Sequence, residues 1–287
     1  MILKTKICAV IVTFNPEMSR FLDNVDAVTK QVDELIIVDN GSTNIAIIEK
    51  ELREKDIRCT LIPLLDNKGI GAALNRAIEY CSKYEINYLL TLDQDSVVTD
   101  QLVDGLLSTI NTATNIAMVG PKISDVNESD AKNSNESLVD TYHLITSGAL
   151  CRVSHLVNVG MFNEKLFIDC VDFDMSLKLI QFDYKVIRNN KLQLIHEIGR
   201  KQKKRILNRE FYLLNHSEVR VYYMVRNRLF IVRKYWNLEG YRPLDDLKHL
   251  LTRTLAMLCY EERKFPKLIA TLKGIFDSFS CYRSIMK

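Results

Sequence analysis

Tyr88-Leu89-Leu90-Thr91-Leu92-Asp93-Gln94-Asp95-Ser96 is an apolar run that ends in two acids two residues apart. Side chains at i and i+2 of a strand share a face, so a strand stopping here aims both carboxylates the same way. Two convergent hard oxygen donors suit a divalent cation that keeps open positions for phosphate. Turns are full of such triplets, so the flanking sequence has to decide. Towards the N-terminus, residues 6–14 read as a buried strand, broken by Asn15-Pro16, and residues 34–38 and 59–64 read as two more. Between them Phe21, Leu22, Val25 and Val28, then Ile45, Ile48 and Leu52, recur at helical spacing. Ile70, Ala73, Leu74, Ala77, Ile78 and Cys81 do the same just before residues 88–92. The order β-α-β-α-β-α-β predicts an α/β fold with a mainly parallel sheet flanked by helices. Ligands in such sheets bind beyond the carboxyl ends of the strands. Thr13, Asp39, Asp66 and Asp93 fall at those ends and are expected to surround one crevice.

The chain has 287 residues, 47% apolar and 26% charged, with 10 Gly and 5 Pro. That is room for one large α/β domain with an appendage, and it excludes a low-complexity or disordered chain. Seven scattered cysteines without a C-x-x-C pair read as reduced thiols, neither a disulfide framework nor a zinc site. The apolar run at residues 7–12 is too short for a signal peptide, and no segment reaches the roughly 18 apolar residues of a bilayer span. A cytoplasmic protein is expected, peripheral at most on the inner face of the cell membrane. The net charge of +3 is unevenly spread: residues 200–287 hold 20 Lys/Arg against 8 Asp/Glu. An acidic body with a basic tail suits contact with anionic lipid head groups, or a plain solvated helical surface. No nucleic-acid partner is expected.

Residues 125–140 are polar and read as a surface loop. Residues 142–152 resemble a strand interrupted by Ser147-Gly148, and residues 167–180 run from an acidic loop into a helix. From about residue 208 the chain reads as helices, with Leu244, Leu247, Leu250, Leu251, Leu255 and Leu258 forming a stripe suited to a core or a homodimer contact. Two common nucleotide folds fail at once. No G-x-G-x-x-G turn follows the first strand, where Thr13-Phe14-Asn15-Pro16 stands instead, and there is no Walker loop.

The segments VIVTFNP, IIVDNGS, DNKGIGAALNRAI, LLTLDQDS, TSGAL and FIDCVDFDMSLKL, in this order over residues 6–199, resemble the motif series of glycosyltransferase family 2. TLDQDS with FIDCVDFD is most similar to the bacterial rhamnosyltransferase branch. The resemblance implies an inverting GT-A enzyme over residues 1–199, with a nucleotide-sugar-binding half at 1–120 and an acceptor and catalytic half at 121–199. A basic helical region follows at 200–287. It further implies transfer of L-rhamnose from dTDP-L-rhamnose to a glycan or lipid-linked glycan acceptor of a surface polysaccharide such as O-antigen, with Mg²⁺ or Mn²⁺. The same fold with a UDP-hexose donor, or a non-catalytic nucleotide-sugar-binding subunit, are the alternatives.

By the same resemblance Thr13, Asn15 and Asp39 hold the nucleobase, and Asn67, Gly69 and Gly71 form the donor loop. Asp93 contacts ribose or metal, and Asp95 binds the metal. Asp172 is the catalytic base, preferred over Asp169 and Asp174. His196 and Arg226 lie near the diphosphate, and Ser147, Gly148 and Asp174 face the acceptor. Several have a structural alternative: a turn or cap for Thr13, Asn15, Asp39, Ser147-Gly148 and Asp172, packing for Gly69, a structural role for His196, and an ion pair for Arg226. The chain departs from the branch after the base, where Asp174-Met175-Ser176-Leu177-Lys178 replaces Glu-Trp-Cys-Leu-Arg. The shorter acid and missing indole bear on the acceptor, and Lys for Arg loses a bidentate fork.

Overall fold

In the computed structural model β1 (Ile7–Thr13) is buried at every position, as a strand covered on both faces must be. The structure describes residues 5–125, 136–196, 202–206, 209–213 and 215–285. They fall into two compact units, residues 1–164 with 172–197 and residues 165–171 with 198–287. The sequence suggested a single cut at 199; here a short internal segment groups with the C-terminal residues.

The first unit opens with the expected alternation: β1, α1 (Met18–Val28), β2 (Glu34–Asp39), α2 (Ile45–Glu54), β3 (Thr60–Pro63), α3 (Ile70–Lys83) and β4 (Tyr88–Asp93). α1 starts where the Glu17 carboxylate accepts from the amides of Ser19 and Arg20, supplying the first turn's missing acceptors. Its apolar stripe Phe21, Val25 and Val28 is fully buried. The unit continues with β5 (Val97–Val98), α4 (Leu102–Ile110), β6 (Ile116–Asp125), β7 (Leu138–Asp140), β8 (Ala149–Arg152), α5 (Val153–Asn158), α6 (Val171–Gln181) and β9 (Lys185–His196). Among the described residues the sheet order is β3-β2-β1-β4-β8-β6-β9-β5, with β7 on β9. β3, β2, β1 and β4 are mutually parallel. β8 then runs antiparallel to both β4 and β6, so the sheet is mixed beyond its first half.

The register carries the expectation about strand ends. Thr13 lies opposite Asp39, Val12 opposite Asp93, and Asp39 opposite Pro63, so β1, β2, β3 and β4 finish at one edge.

Three expectations are corrected. Of residues 142–152 only Ala149–Arg152 is strand, because Ser147-Gly148 is a turn with Gly148 at φ +79°, which ends extended pairing. The polar stretch 125–140 has strand at both ends, Asp125 closing β6 and Leu138–Asp140 forming β7; residues 126–135 lie outside the described residues. The C-terminal region begins with a hairpin rather than helices.

That hairpin opens the second unit, β10 (Gln202–Ile206) antiparallel to β11 (Arg209–Leu213). α7 (Glu218–Lys234), α8 (Pro243–Tyr260) and α9 (Lys264–Ile285) follow. α7 and α9 approach closely at Gly274, where a Cβ would stand 2.8 Å from the Tyr222 carbonyl. Of the leucine stripe expected to be core or dimer contact, Leu244, Leu251 and Leu255 are exposed, while Leu247, Leu250 and Leu258 are half-buried. No described helix is long and apolar enough to cross a membrane.

Candidate active site

The loops after β1, β2, β3 and β4 are stitched together by short polar side chains. Asp39, 1% exposed, accepts from Thr13 Oγ1 at 3.0 Å on Oδ1 and from the amides of Gly41 (3.1 Å) and Ser42 (2.9 Å) on Oδ2. Asn15 donates its amide to Ser42 Oγ at 2.8 Å, and its Oδ1 accepts from Thr43 N at 2.8 Å and Thr43 Oγ1 at 2.9 Å. Gly41 sits at φ +86°, and a Cβ there would come within 2.7 Å of Asn67 N, so the β2 loop lies against the β3 loop. Asn67 Oδ1 accepts from Asn40 Nδ2 and from Gly69 N, both at 3.0 Å. The Gln94 side chain accepts from Phe14 N at 2.8 Å, tying the β4 turn to β1. Thus Thr13, Asn15, Asp39, Asn67 and Gly69 do converge. Gly69 stands at φ +86° as the residue before α3, a conformation that favours glycine. Gly71 is different: it is buried, and a Cβ would lie 3.3 Å from Asn163 O, so its small size serves packing of α3.

Asp93 closes β4 and Asp95 lies on the turn after it, both half-buried. Asn24, wholly buried, donates to the Asp93 carbonyl at 2.8 Å, and the Asp93 amide donates to Ser147 Oγ at 3.1 Å. Ser147 Oγ in turn donates to Ser96 Oγ at 2.7 Å, and Gly148 N donates to Thr91 O at 2.7 Å. The Ser147-Gly148 turn is therefore fastened to the Asp-x-Asp turn itself. β9 reaches the same place: Ile195 pairs with Val97, so the His196 backbone follows directly beside Ser96. The His196 side chain lies outside the described residues.

Asp172 occupies the first turn of α6, where the helix dipole favours a carboxylate. Its Oδ1 accepts from Phe173 N at 2.8 Å, and its Oδ2 lies 3.4 Å from His143 Nε2. Burial pushes this carboxyl up, but hydrogen bonding and charge from His143, with the Phe173 and Asp172 amides, hold it below the usual carboxylate range. Asp174 is 0% exposed and 4.0 Å from Lys178, whose Nζ donates to Met161 O at 2.5 Å. It lies in the packing of the unit and not on an open acceptor surface.

One segment joins the two acidic centres. His143 touches Asp172, Ser176 Oγ accepts from Leu144 N at 3.3 Å, and Ser147 accepts from Asp93 N. From residue 143 to residue 147 an extended chain spans at most about 14 Å. The Asp-x-Asp turn and Asp172 are thus held at opposite ends of one short stretch.

In the second unit Asp169 pairs with Arg220 at 3.3 Å. Arg226 spends its guanidinium on the carbonyls of Lys165 (2.6 Å) and Leu166 (3.3 Å) and lies over the Tyr223 ring at 4.6 Å. Asn227, fully buried, donates Nδ2 to the carbonyls of Leu166, Ile168 and Asp169 at 2.8, 2.8 and 2.9 Å. The segment it grips carries Phe167, Asp169 and Cys170 at φ +62 to +64°, left-handed conformations that cost a non-glycine residue about 1 kcal/mol or more each. Asn227 offsets that strain. Sequence reading missed Asn227, Gln94, Asn40, Ser42, Thr43 and His143. All are polar residues within four places of a site residue that it did name.

The donor chemistry at Asp93 and Asp95 fits a divalent ion. Among the described residues no group of three or more His, Cys, Asp or Glu side chains gathers to hold a metal. One or two carboxylates completed by phosphate oxygens is the ordinary Mg²⁺ arrangement in phosphate enzymes.

The chain is similar to known proteins in sequence and in fold. A "dTDP-rhamnosyl transferase RfbF" of Shigella flexneri is 27% identical over 95% of this chain and 96% of that protein. The S. aureus TarS 1-349 structure in complex with UDP-GlcNAc superposes with a TM-score of 0.61 at 16% identity, over 97% of this chain and 82% of that one. The mannosyltransferase PcManGT of Pyrobaculum calidifontis, solved with GDP-Man and Mn2+, gives 0.59 at 12% identity, over 99% and 76%. The family model described as glycosyl transferase family 2 matches residues 8–169, every strand-end loop described above included, and the chain belongs to that family of glycosyltransferases.

Proposed function

We propose that the protein is an inverting, divalent-metal-dependent transferase that moves L-rhamnose from dTDP-L-rhamnose to a lipid-linked surface-polysaccharide acceptor. The observation that carries the chemistry is the 143–148 segment, bonded to Asp172 at one end and to the Asp93–Ser96 turn at the other. The Shigella flexneri relative supports the choice of donor. Asp172 takes the proton of an acceptor hydroxyl as that oxygen attacks the anomeric carbon, and the bond to the diphosphate breaks with its electron pair leaving on dTDP. Asp95 and Asp93 would hold Mg²⁺ or Mn²⁺, with Asp93 also in reach of the ribose. When bound, the metal neutralises charge on the leaving diphosphate. The Thr13–Asp39 pair orders the Gly41–Ser42 amides, with Asn15 and Asn67 as walls for the nucleobase. The α3 N-terminus beyond Gly69 faces the diphosphate, and Ser147 lies on the acceptor side. Arg226 acts instead through the 165–166 carbonyls. Transfer and donor-hydrolysis assays with dTDP-L-rhamnose, UDP-galactose and UDP-N-acetylglucosamine, each with and without EDTA, test this reading. Preference for a UDP-hexose would overturn the donor, and full rates in EDTA would overturn the metal.

The peripheral membrane contact rests on α9. Phe265, Leu268, Ile269, Leu272, Phe276 and Phe279 are all exposed and recur at helical spacing, making a stripe opposite the face that buries Ala270 and Thr271. Lys264 and Lys273 are exposed along it. An apolar stripe with cationic edges suits an anionic lipid surface, whereas a second copy would oppose like charges. Flotation of the L272E/F276E variant with phosphatidylglycerol vesicles is expected to lose the binding of the parent. Unchanged flotation, or a dimer that the variant splits without lipid, would overturn the lipid reading.

A further inference from the structure

The half-exposed imidazole of His143 stands against the buried Phe173 with ring centroids 4.9 Å apart. Its backbone is fixed on both sides. His143 N donates to Thr141 Oγ1 at 3.3 Å, and Thr141 Oγ1 donates to His143 O at 3.1 Å. The next residue, Leu144, is bonded to the wholly buried Ser176 of α6, whose hydroxyl also donates to Asp172 O at 3.0 Å. Ring, turn and helix therefore all set where Nε2 points, and it points at Asp172 Oδ2.

We propose that His143 is the positioning residue of the catalytic base, holding Asp172 through Oδ2 while the Phe173 amide holds Oδ1. This rests on the reading of Asp172 as the base. With both oxygens held, the carboxylate keeps one rotamer, and its remaining lone pairs are directed at the acceptor hydroxyl. His143 also favours the ionised form, the form able to accept a proton. The other charged groups of α6 near this turn, Asp174 and Lys178, pair with each other at 4.0 Å, while the His143 ring is the group that meets Asp172 Oδ2. In the second unit Asp169, three residues before it in the chain, is engaged by Arg220.

The test is a pH profile of the full-length protein with donor and acceptor, comparing parent, H143A, H143Q and D172N. H143A is expected to lower kcat by roughly tenfold to a hundredfold with little change in donor KM. Its acid limb should move to higher pH, because burial is then opposed only by the Phe173 and Asp172 amides. H143Q keeps a hydrogen-bond donor without the coulombic contribution of the imidazole, and should regain most of the plateau rate with the acid limb still raised. Parental kcat and pH profile in H143A would overturn the proposal, and so would equal losses in both variants with the acid limb unmoved. Should H143A fail to fold, the acid limb of H143Q decides alone, raised in support or unmoved against. An active D172N would instead remove the base assignment itself, whereas an inactive D172N beside a normal H143A overturns only the role of His143.

Discussion

Replacing Asn227 by alanine tests whether the chain entering α6 is held in place or merely passes by. One carboxamide nitrogen supplies two protons to three carbonyls, those of Leu166, Ile168 and Asp169. Each proton withdrawn from a buried acceptor costs about 1–2 kcal/mol, so the direct loss is about 2–4 kcal/mol. Against this, Phe167, Asp169 and Cys170 are released from left-handed backbone, returning about 1 kcal/mol each if all three relax. The two effects oppose each other in stability but not in shape. With all three relaxed the two effects nearly cancel, so the expected net change in stability is within about 1 kcal/mol of zero, together with a fall in kcat of tenfold or more, because the relaxed segment leads straight into Asp172. Urea unfolding of N227A gives the first quantity and initial rates at saturating donor give the second. N227D, which turns a carboxylate oxygen towards the same carbonyls, should be worse in both. An N227A protein with parental kcat would refute the reasoning, whatever its stability.

Gly148→Ala should cost about 1–3 kcal/mol, since a Cβ at φ +79° would stand 2.8 Å from a Leu194 methyl and 3.2 Å from Pro121. Gly160→Ala, at φ +81° with nothing within 4 Å, should cost only the backbone share, about 1 kcal/mol; equal thermal shifts would contradict this. His216 is pushed down to about 4 by burial and by Arg220 and Arg253, and Arg253 Nη2 lies 3.0 Å from its Nε2. The folded state thus binds fewer protons than the unfolded one between about pH 4 and 6.5, so stability should fall as pH drops through that window. H216Q should flatten that slope, and an unchanged slope would show that other groups carry it.

The fold of the first unit was legible as far as β4, because buried parallel strands read as continuous apolar runs and the intervening helices keep their stripes. Beyond β4 the signal weakens for physical reasons. β7 is three residues on an edge, β8 is four residues after a glycine turn, and β6 and β9 carry register shifts and polar residues. The strand-end acids were legible because register, not distance along the chain, brings them together. What they bond was not. Asp39 is satisfied by Thr13 and two amides, and Asp174 is interior, facts set by side-chain direction that spacing does not encode. Asn227 and His143 escaped notice for a related reason: each works on a segment about 30 to 60 residues away.

The stretch from His143 to Gly148 is a gauge block between two acidic centres, the Asp93–Asp95 pair proposed to face a cation at one end and Asp172, the proposed proton acceptor, at the other. Its covalent length caps how far those centres can stand apart. Losing or gaining a residue at Ile145, between Leu144 bonded to Ser176 and Thr146 bonded to Thr91, would reset that gap while leaving both anchors in the chain. A transferase that must reach a bulkier or slimmer sugar hydroxyl has here a place to change its reach while leaving its leaving-group and base machinery intact.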